Sequence, residues 1–423
     1  MDNVTHTLAG LLAGEAAARL RARRDGAEPP AAFRTAAWLA GAVAANLPDA
    51  DVVAPLLGAD RLQTLLHHRG YTHTVVAAAA GAALVWAAAL AWWRARARRL
   101  TEAAPPGPAD ARWLLGVALV ASLVCHLGLD WTNDYGVHVW WPASPAWSYG
   151  DAVFIIEPWL WVAAVPALAR AARRRAARVA LWGVLVLGLA LAWRVPLVGR
   201  GAALGVTFGA VASAWAAARL GPGRRAGLAV SLWVAVELTF AAGMRAARAQ
   251  VAAAVAAASP GARLLDVVTT PAPGNPLCAR VLTAELDGGR YRVATAWAAA
   301  APSLVSPARC ALPERVVGTA TADFGTSPRP RTPAVVWRRQ WERPAAELRA
   351  LGAGNCAAHA VLRFARVPVW TDAGPDSLVV GDARYDREPG LGFSEFAVAR
   401  RPGACPTVPA WRPPRSDVLG ASD

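Results

Sequence analysis

Lysine is absent. All 44 basic side chains among the 423 residues are arginine, against 29 acidic ones, for a formal net charge of +15. So basic a chain raises nucleic acid as a partner. The placement of the arginines argues otherwise. They cluster at 21–24, 94–99, 170–178 and 219–225, at the ends of apolar runs. There they orient membrane helices with the cytoplasm on their side, and no nucleic-acid partner is expected. Charge is also scarce. Charged residues make up 17% of the chain, hydrophobic ones 55%, and the mean hydropathy is +0.30. These values exclude an ordinary soluble enzyme and point to a polytopic membrane protein. The 20 tryptophans suit side chains that sit at membrane interfaces. A basic stretch ahead of the first apolar run is missing, and His6 and Glu15 interrupt that run, so no cleavable signal peptide is expected. No internal repeat stands out. Cysteine is limited to five. Cys125 lies in an apolar run and reads as core packing. Cys278, Cys310, Cys356 and Cys405 fall in the C-terminal third, where three pairings into two disulfides are open if that part is exported.

What is there divides by character. Apolar runs at 4–20, 35–48, 74–93, 113–129, 152–169, 179–193, 202–219 and 226–243 read as about eight helices. The run 35–48 is short against the roughly 20 residues a span needs. Residues 56–67 read as a polar connection and 131–151 as an aromatic, proline-rich loop. After about residue 250 the segments beginning Arg263-Leu-Leu-Asp, Arg290-Tyr-Arg-Val and Ser377-Leu-Val-Val read as short strands between Pro/Gly turns. The expected fold is an α-helical polytopic membrane bundle with a C-terminal soluble β or α+β domain. Its parts are 1–165, a helical region carrying the polar chemistry; 166–248, further transmembrane helices; and 249–423, the soluble domain.

Six of the seven histidines lie in the first 138 residues. Three of them fall within His67-His68-Arg69-Gly70-Tyr71-Thr72-His73. With the arginine clusters on the cytoplasmic side, the weave of helices brings His6, Asp49, Asp51, His68, His73, His126 and Asp130 to the outer leaflet. His126 and Asp130 are four apart and share a helix face. Ionisable groups at membrane depth are costly and mark function. Imidazole and carboxylate together suit a divalent metal, zinc first. Asp51 or Asp49 reads as a general base, and Arg69 as a phosphate holder. The plainer alternatives are a loop role for His67, a structural role for His138, and for Glu15 either a helix neighbour or the cavity. The same topology places residues 250–423 outside, although Arg245 and Arg248 argue against it. His359 stands alone in that part, and no catalytic constellation is visible there.

At Asp2-Asn3-Val4-Thr5-His6-Thr7, Leu47-Pro48-Asp49-Ala50-Asp51, His68-Arg69-Gly70-Tyr71-Thr72-His73-Thr74 and His126-Leu127-Gly128-Leu129-Asp130 the chain resembles the YdjM family of inner-membrane, metal-dependent hydrolases. The stretch Thr132 to His138 and the segments Gly150-Asp151 and Glu157-Pro158-Trp159 extend the likeness over roughly residues 1–165. The resemblance implies an inner-membrane hydrolase with His6, Asp49, Asp51, His68, His73, His126 and Asp130 as metal ligands. Glu157 stands where the family leads one to expect Asp. The order of ligands is also similar to that of zinc-dependent phospholipase C and P1-type nucleases, by fold-level analogy.

The expectation is a membrane metallohydrolase, acting with zinc or a similar divalent metal on a phosphoester or lipid-like substrate. Membrane lipid and that small-molecule or lipid-like substrate are its expected partners. The rivals are a transporter or metal-binding membrane protein without hydrolysis, and a bundle that anchors an exported binding domain.

Overall fold

A computed structural model of the protein describes residues 1–99, 104–310, 324–385 and 391–420. These fall into two units. The first comprises Met1–Asp51, Tyr71–Val139 and Val153–Thr239; the second comprises Val52–Gly70, Trp140–Ala152 and Phe240–Asp423. In chain order the helices are α1 (Asn3–Asp25), α2 (Ala31–Ala44), α3 (Arg61–His67, in the second unit), α4 (Val75–Arg99), α5 (Pro108–Leu119), α6 (Leu129–Trp131), α7 (Pro158–Ala171), α8 (Arg175–Arg194), α9 (Arg200–Arg219) and α10 (Pro222–Ala258). Between α5 and α6 the chain stays helical, but residues Val120–Gly128 are wound as a π-helix.

Five helices are long and apolar enough to cross a membrane: α4, the continuous run Pro108–Trp131, α8, α9 and α10. Among the described residues these carry the apolar runs 74–93, 113–129, 179–193, 202–219 and 226–243, while the other three of the eight runs form helices that do not qualify as spans. The reason is length and polarity. α2 and α7 have 14 residues each, which cover roughly 21 Å against the ~30 Å hydrocarbon core. α7 is instead a buried helix of the first unit, with its residues from Leu160 to Ala169 enclosed. α1 carries His6, Glu15 and Arg19 on its buried side. By contrast, only 22% of the most apolar window of α4, α8 or α10 is buried within the protein. Such a face suits lipid.

α1 starts where Asp2 accepts hydrogen bonds from the amides of Val4 and Thr5, and ends at Gly26 in the left-handed region (φ 67°). It crosses α2 at small residues. A Cβ on Gly10 would collide with the Gly41 carbonyl, and one on Gly41 with that of Gly10; Gly14 meets the Ala37 carbonyl in the same way. Gly10 and Gly14 are four apart, the spacing that lets membrane helices approach closely. Gly41→Val is expected to lower stability by about 1–3 kcal/mol through overpacking. An unchanged melting temperature in detergent would refute this tight crossing. Next to it, Glu15 is held by Arg19 (2.7 Å), Arg34 (2.9 Å) and the Trp38 indole (3.0 Å). Its partners are helix neighbours.

The second unit is α+β. A five-stranded antiparallel sheet runs in the order β1 (Arg263–Ala272), β2 (Asn275–Asp287), β3 (Arg290–Ala299), β5 (Val335–Pro344), β4 (Gly325–Thr326). The β2–β3 hairpin turns on Gly288 and Gly289, both at positive φ (54° and 79°), as a two-residue type I′ loop requires. One face of this sheet packs on Met244, Ala247, Val251 and Val255 of α10 through Val267, Val281, Ala296 and Val335. α11 (Ala345–Gly354) and α12 (Cys356–Leu362) follow. A second sheet contains β6 (Pro368–Asp372), β7 (Ser377–Asp382) and β8 (Phe396–Ala399), and α13 (Ser416–Leu419) comes last. Two disulfides, Cys278–Cys310 and Cys356–Cys405, tie this unit. At its centre Arg366 is buried and ion-paired on both sides. Its guanidinium donates to both oxygens of Asp151 (2.6 and 2.8 Å) and both oxygens of Asp266 (3.0 and 2.8 Å). It also lies 4.0 Å over the Tyr149 ring.

Candidate metal centre

Five segments of the first unit meet at one point. His6 comes from the second turn of α1. Asp49 and Asp51 come from the 3-10 stretch Leu47–Leu57 after α2. His73 ends a single 3-10 turn, Tyr71–His73, just before α4. His126 lies in the π-wound stretch and Asp130 in α6. His6, His73, His126 and Asp130 are all 0% exposed, and Asp49 is 7% exposed. Asp49, His73, His126 and Asp130 each offer a ligand atom within 4.8 Å of the others, so this group could hold a metal ion.

The geometry is specific. His73 Nε2 lies 3.3 Å from Asp49 Oδ1 and 3.2 Å from Asp130 Oδ2. His126 Nε2 is 3.4 Å from Asp130 Oδ2 and only 3.0 Å from His73 Nε2. His6 Nε2 is 3.2 Å from the other oxygen of Asp130, and its ring stacks on that of His126 at 4.1 Å between centroids.

Each imidazole is oriented from behind. His126 Nδ1 meets the Ala45 carbonyl at 2.7 Å, and His6 Nδ1 meets the Cys125 carbonyl at 2.9 Å. A carbonyl only accepts, so Nδ1 carries the proton and the Nε2 lone pair faces inward. This is the arrangement that metal-ligating histidines use. His73 Nδ1 faces Thr72 Oγ1 (2.9 Å) and Asp51 (3.5 Å), and Thr72 donates to Asp51 at 2.8 Å. Asp51 thus stands behind His73, on the far side of the ring from Asp49 and Asp130.

The electrostatics call for positive charge. Burial alone would lower the His73 imidazole, but its contacts with Asp130, Asp49 and Asp51 push it up to about 10. Burial would raise Asp49, yet His73 and His126 hold it below the usual carboxylate range. Asp130 is also met by the amino group of Met1. Buried carboxylates beside inward-facing imidazole nitrogens fit a hard or borderline divalent cation.

His68 and Arg69 belong to the second unit. His68 caps α3, its amide donating to the Thr64 carbonyl, and Arg69 is buried at positive φ (57°). Glu157 caps α7 by accepting from the Trp159 amide at 3.1 Å. Cys125 packs against the apolar cluster of α2 and α4. His138 is buried, and His359 caps a carbonyl of its own unit, that of Gly352. Three supporting side chains escaped the sequence reading. Asn3 donates to Asp49 (2.9 Å) and to Asn46 (3.2 Å), Asn46 donates to Thr7 (3.0 Å), and Thr72 links His73 to Asp51. All three sit one to three residues from a ligand, which is the signal that could have found them. Trp161 pins α7 to α1 by donating to Thr5 (2.8 Å), next to His6.

No curated protein and no solved structure matches the chain. A family model does: the one described as YdjM inner membrane protein matches residues 1–201. With its apolar spans, the chain is a membrane protein. The region that carries His6, Asp49, His73, His126 and Asp130 is thus the part of the chain that is similar to the YdjM inner membrane protein family.

Proposed function

We propose that this protein is a membrane-bound, metal-dependent hydrolase acting on a phosphoester or lipid-like substrate. The observation that carries this reading is the convergence of three oriented imidazoles on two buried carboxylates. His6, Asp49, His73, His126 and Asp130 would hold the ion, and zinc suits this donor set. When bound, such an ion supplies Lewis acidity and a water acidic enough to act as nucleophile near neutral pH. The chain's own residues do the rest. The Ala45 and Cys125 carbonyls fix two rings, and Asn3 fixes Asp49. The Asp51–Thr72 pair sets the tautomer and direction of His73.

The outer face of the membrane is the proposed location. The arginine clusters favour a cytoplasm at the opposite ends of the helices, on the reading that the enclosed α7 carries the chain back across between α6 and α8. The two disulfides of the C-terminal sheet domain favour an oxidising compartment for it. An impermeant thiol reagent on reduced whole cells should reach the exposed Cys405; protection until lysis would place it inside.

The direct test is metal analysis of the purified full chain beside a panel of phosphodiesters and phospholipids. A stoichiometric ion, with turnover lost on chelation and restored by zinc, is expected. Bound metal without turnover on any member of the panel would leave a metal-binding membrane protein, and absence of metal would remove the reading.

A further inference from the structure

The ends of four helices of the first unit meet around a surplus of arginine. Glu15, Arg19 and Arg23 follow one another at one-turn intervals on α1. Arg19 donates to Glu15 (2.7 Å) and to Glu28 (2.6 Å). Arg34, in the first turn of α2, donates to Glu15 (2.9 Å) and to the carbonyl of Ala171 (3.3 Å), the last residue of α7 after Arg170. The Arg23 guanidinium lies over Gly223 in the first turn of α10, where a Cβ would come within 3.3 Å of Nη2. Arg225, two residues on, donates to the Leu220 carbonyl (2.9 Å). His6 and Arg23 lie at opposite ends of α1, roughly 25 Å apart at 1.5 Å per residue. This arginine end is therefore remote from the His/Asp centre.

The charge there does not balance. Glu15 is occupied by Arg19, Arg34 and Trp38, and both oxygens of Glu28 accept from Arg19. Among the described residues Arg23, Arg170 and Arg225 have no carboxylate partner. Two donors are left over as well. The Nε of Arg34 and the Nε of Arg225 are shut off from solvent, and neither meets an acceptor among the described residues. A buried charged donor without an acceptor bears its full desolvation cost, which a bound anion would relieve.

We propose that this end of the bundle holds the phosphate of an anionic phospholipid headgroup. A phosphate offers several oxygens, so it can accept from more than one guanidinium fork at once. Basic pockets between membrane helices are recurrent headgroup sites. Position favours a lipid as the source of the phosphate. The arginines sit where α10 begins, and only 22% of the most apolar window of α10 is buried. The acyl chains of a lipid held here have that flank to lie along. The site is independent of the metal centre and of the hydrolase reading.

The test uses the full chain in detergent, read by native mass spectrometry and by melting temperature. Phosphatidylglycerol, phosphatidylcholine and inorganic phosphate are added in separate arms. Phosphatidylglycerol should stay bound as a one-to-one adduct and raise the melting temperature. Phosphatidylcholine, whose phosphate is offset by its own quaternary ammonium, should bind severalfold more weakly. Arg225→Gln and Arg23→Gln should each weaken phosphatidylglycerol binding about fivefold, the scale of one basic residue at an anionic membrane surface. Arg23→Gln breaks no ion pair among the described residues, so it carries the readout if Arg225→Gln does not fold. Arg98→Gln, at the end of α4, should leave binding unchanged. Equal binding of the two lipids overturns the proposal, as does undiminished phosphatidylglycerol binding in Arg23→Gln. An equal weakening by Arg98→Gln also overturns it, since the attraction would then be diffuse. A shift by inorganic phosphate as large as that by phosphatidylglycerol overturns the lipid assignment in favour of a soluble phosphate.

Discussion

Alanine at position 126 is expected to strip the centre of its ion. His126 Nε2 is 3.0 Å from His73 Nε2 and 3.4 Å from Asp130, while Nδ1 is locked on the Ala45 carbonyl. Its loss removes a ligand and leaves Asp49 and Asp130 as buried acids facing a void. Outer partners of metal ligands are worth about 10–100-fold in affinity, and a ligand itself should exceed that. Metal retained after gel filtration through a chelator is the readout. A second is the gain in melting temperature on adding zinc, which follows from binding to the folded state alone. Wild-type protein should show both and His126→Ala neither. Thr72→Val should be intermediate, because it only loosens His73. A His126→Ala protein with undiminished metal would refute the geometry of the centre.

The other large effect concerns the second unit. Arg366→Ala leaves Asp151 and Asp266 facing each other across the space that its guanidinium filled. Removing one member of a buried ion pair costs about 3–5 kcal/mol, since the remaining charge stays desolvated. Arg248 also contacts Asp151 but is 42% exposed, so it cannot take over. Cooperative unfolding of the full chain should shift down by that amount, and a shift under about 1 kcal/mol would mean that the network is dispensable. A pH dependence goes with it. Burial would raise Asp266, but Arg366 holds it below the usual carboxylate range. A depressed carboxyl stabilises the fold above its unfolded pKa, near 3.9, and that contribution is lost as pH falls through the lower folded value. Arg366→Ala should flatten this acid limb.

The residues of the candidate centre were legible because polar groups in apolar runs are costly, so His or Asp there calls for a reason. Asn3, Asn46 and Thr72 were not legible, because such residues are also ordinary at helix ends and turns. The five spans were legible as long apolar runs, but an apolar run does not tell a lipid-facing helix from an enclosed one. α7 is enclosed by its neighbours, and no periodicity announces that. The strands β1, β3 and β7 were visible through Val, Thr and Tyr. β2 was missed because Leu-Thr-Ala-Glu-Leu carries little β preference, and its partners on both sides override that. The Asp151–Arg366 pair joins residues 215 apart in sequence, and no local pattern can report such a contact.

One consequence follows from the π-wound stretch Val120–Gly128. Its i→i+5 bonding fits one more residue per turn than the helix before it. The backbone could return to ordinary winding only by swinging the His126 imidazole away from Asp130. Keeping the wide turn and keeping the ring in place are therefore one equilibrium. A cation that grips the ring acts as a latch on the helix end, and tightening by occupancy would reach Thr132 and Val153, whose backbones are hydrogen-bonded to each other just past it.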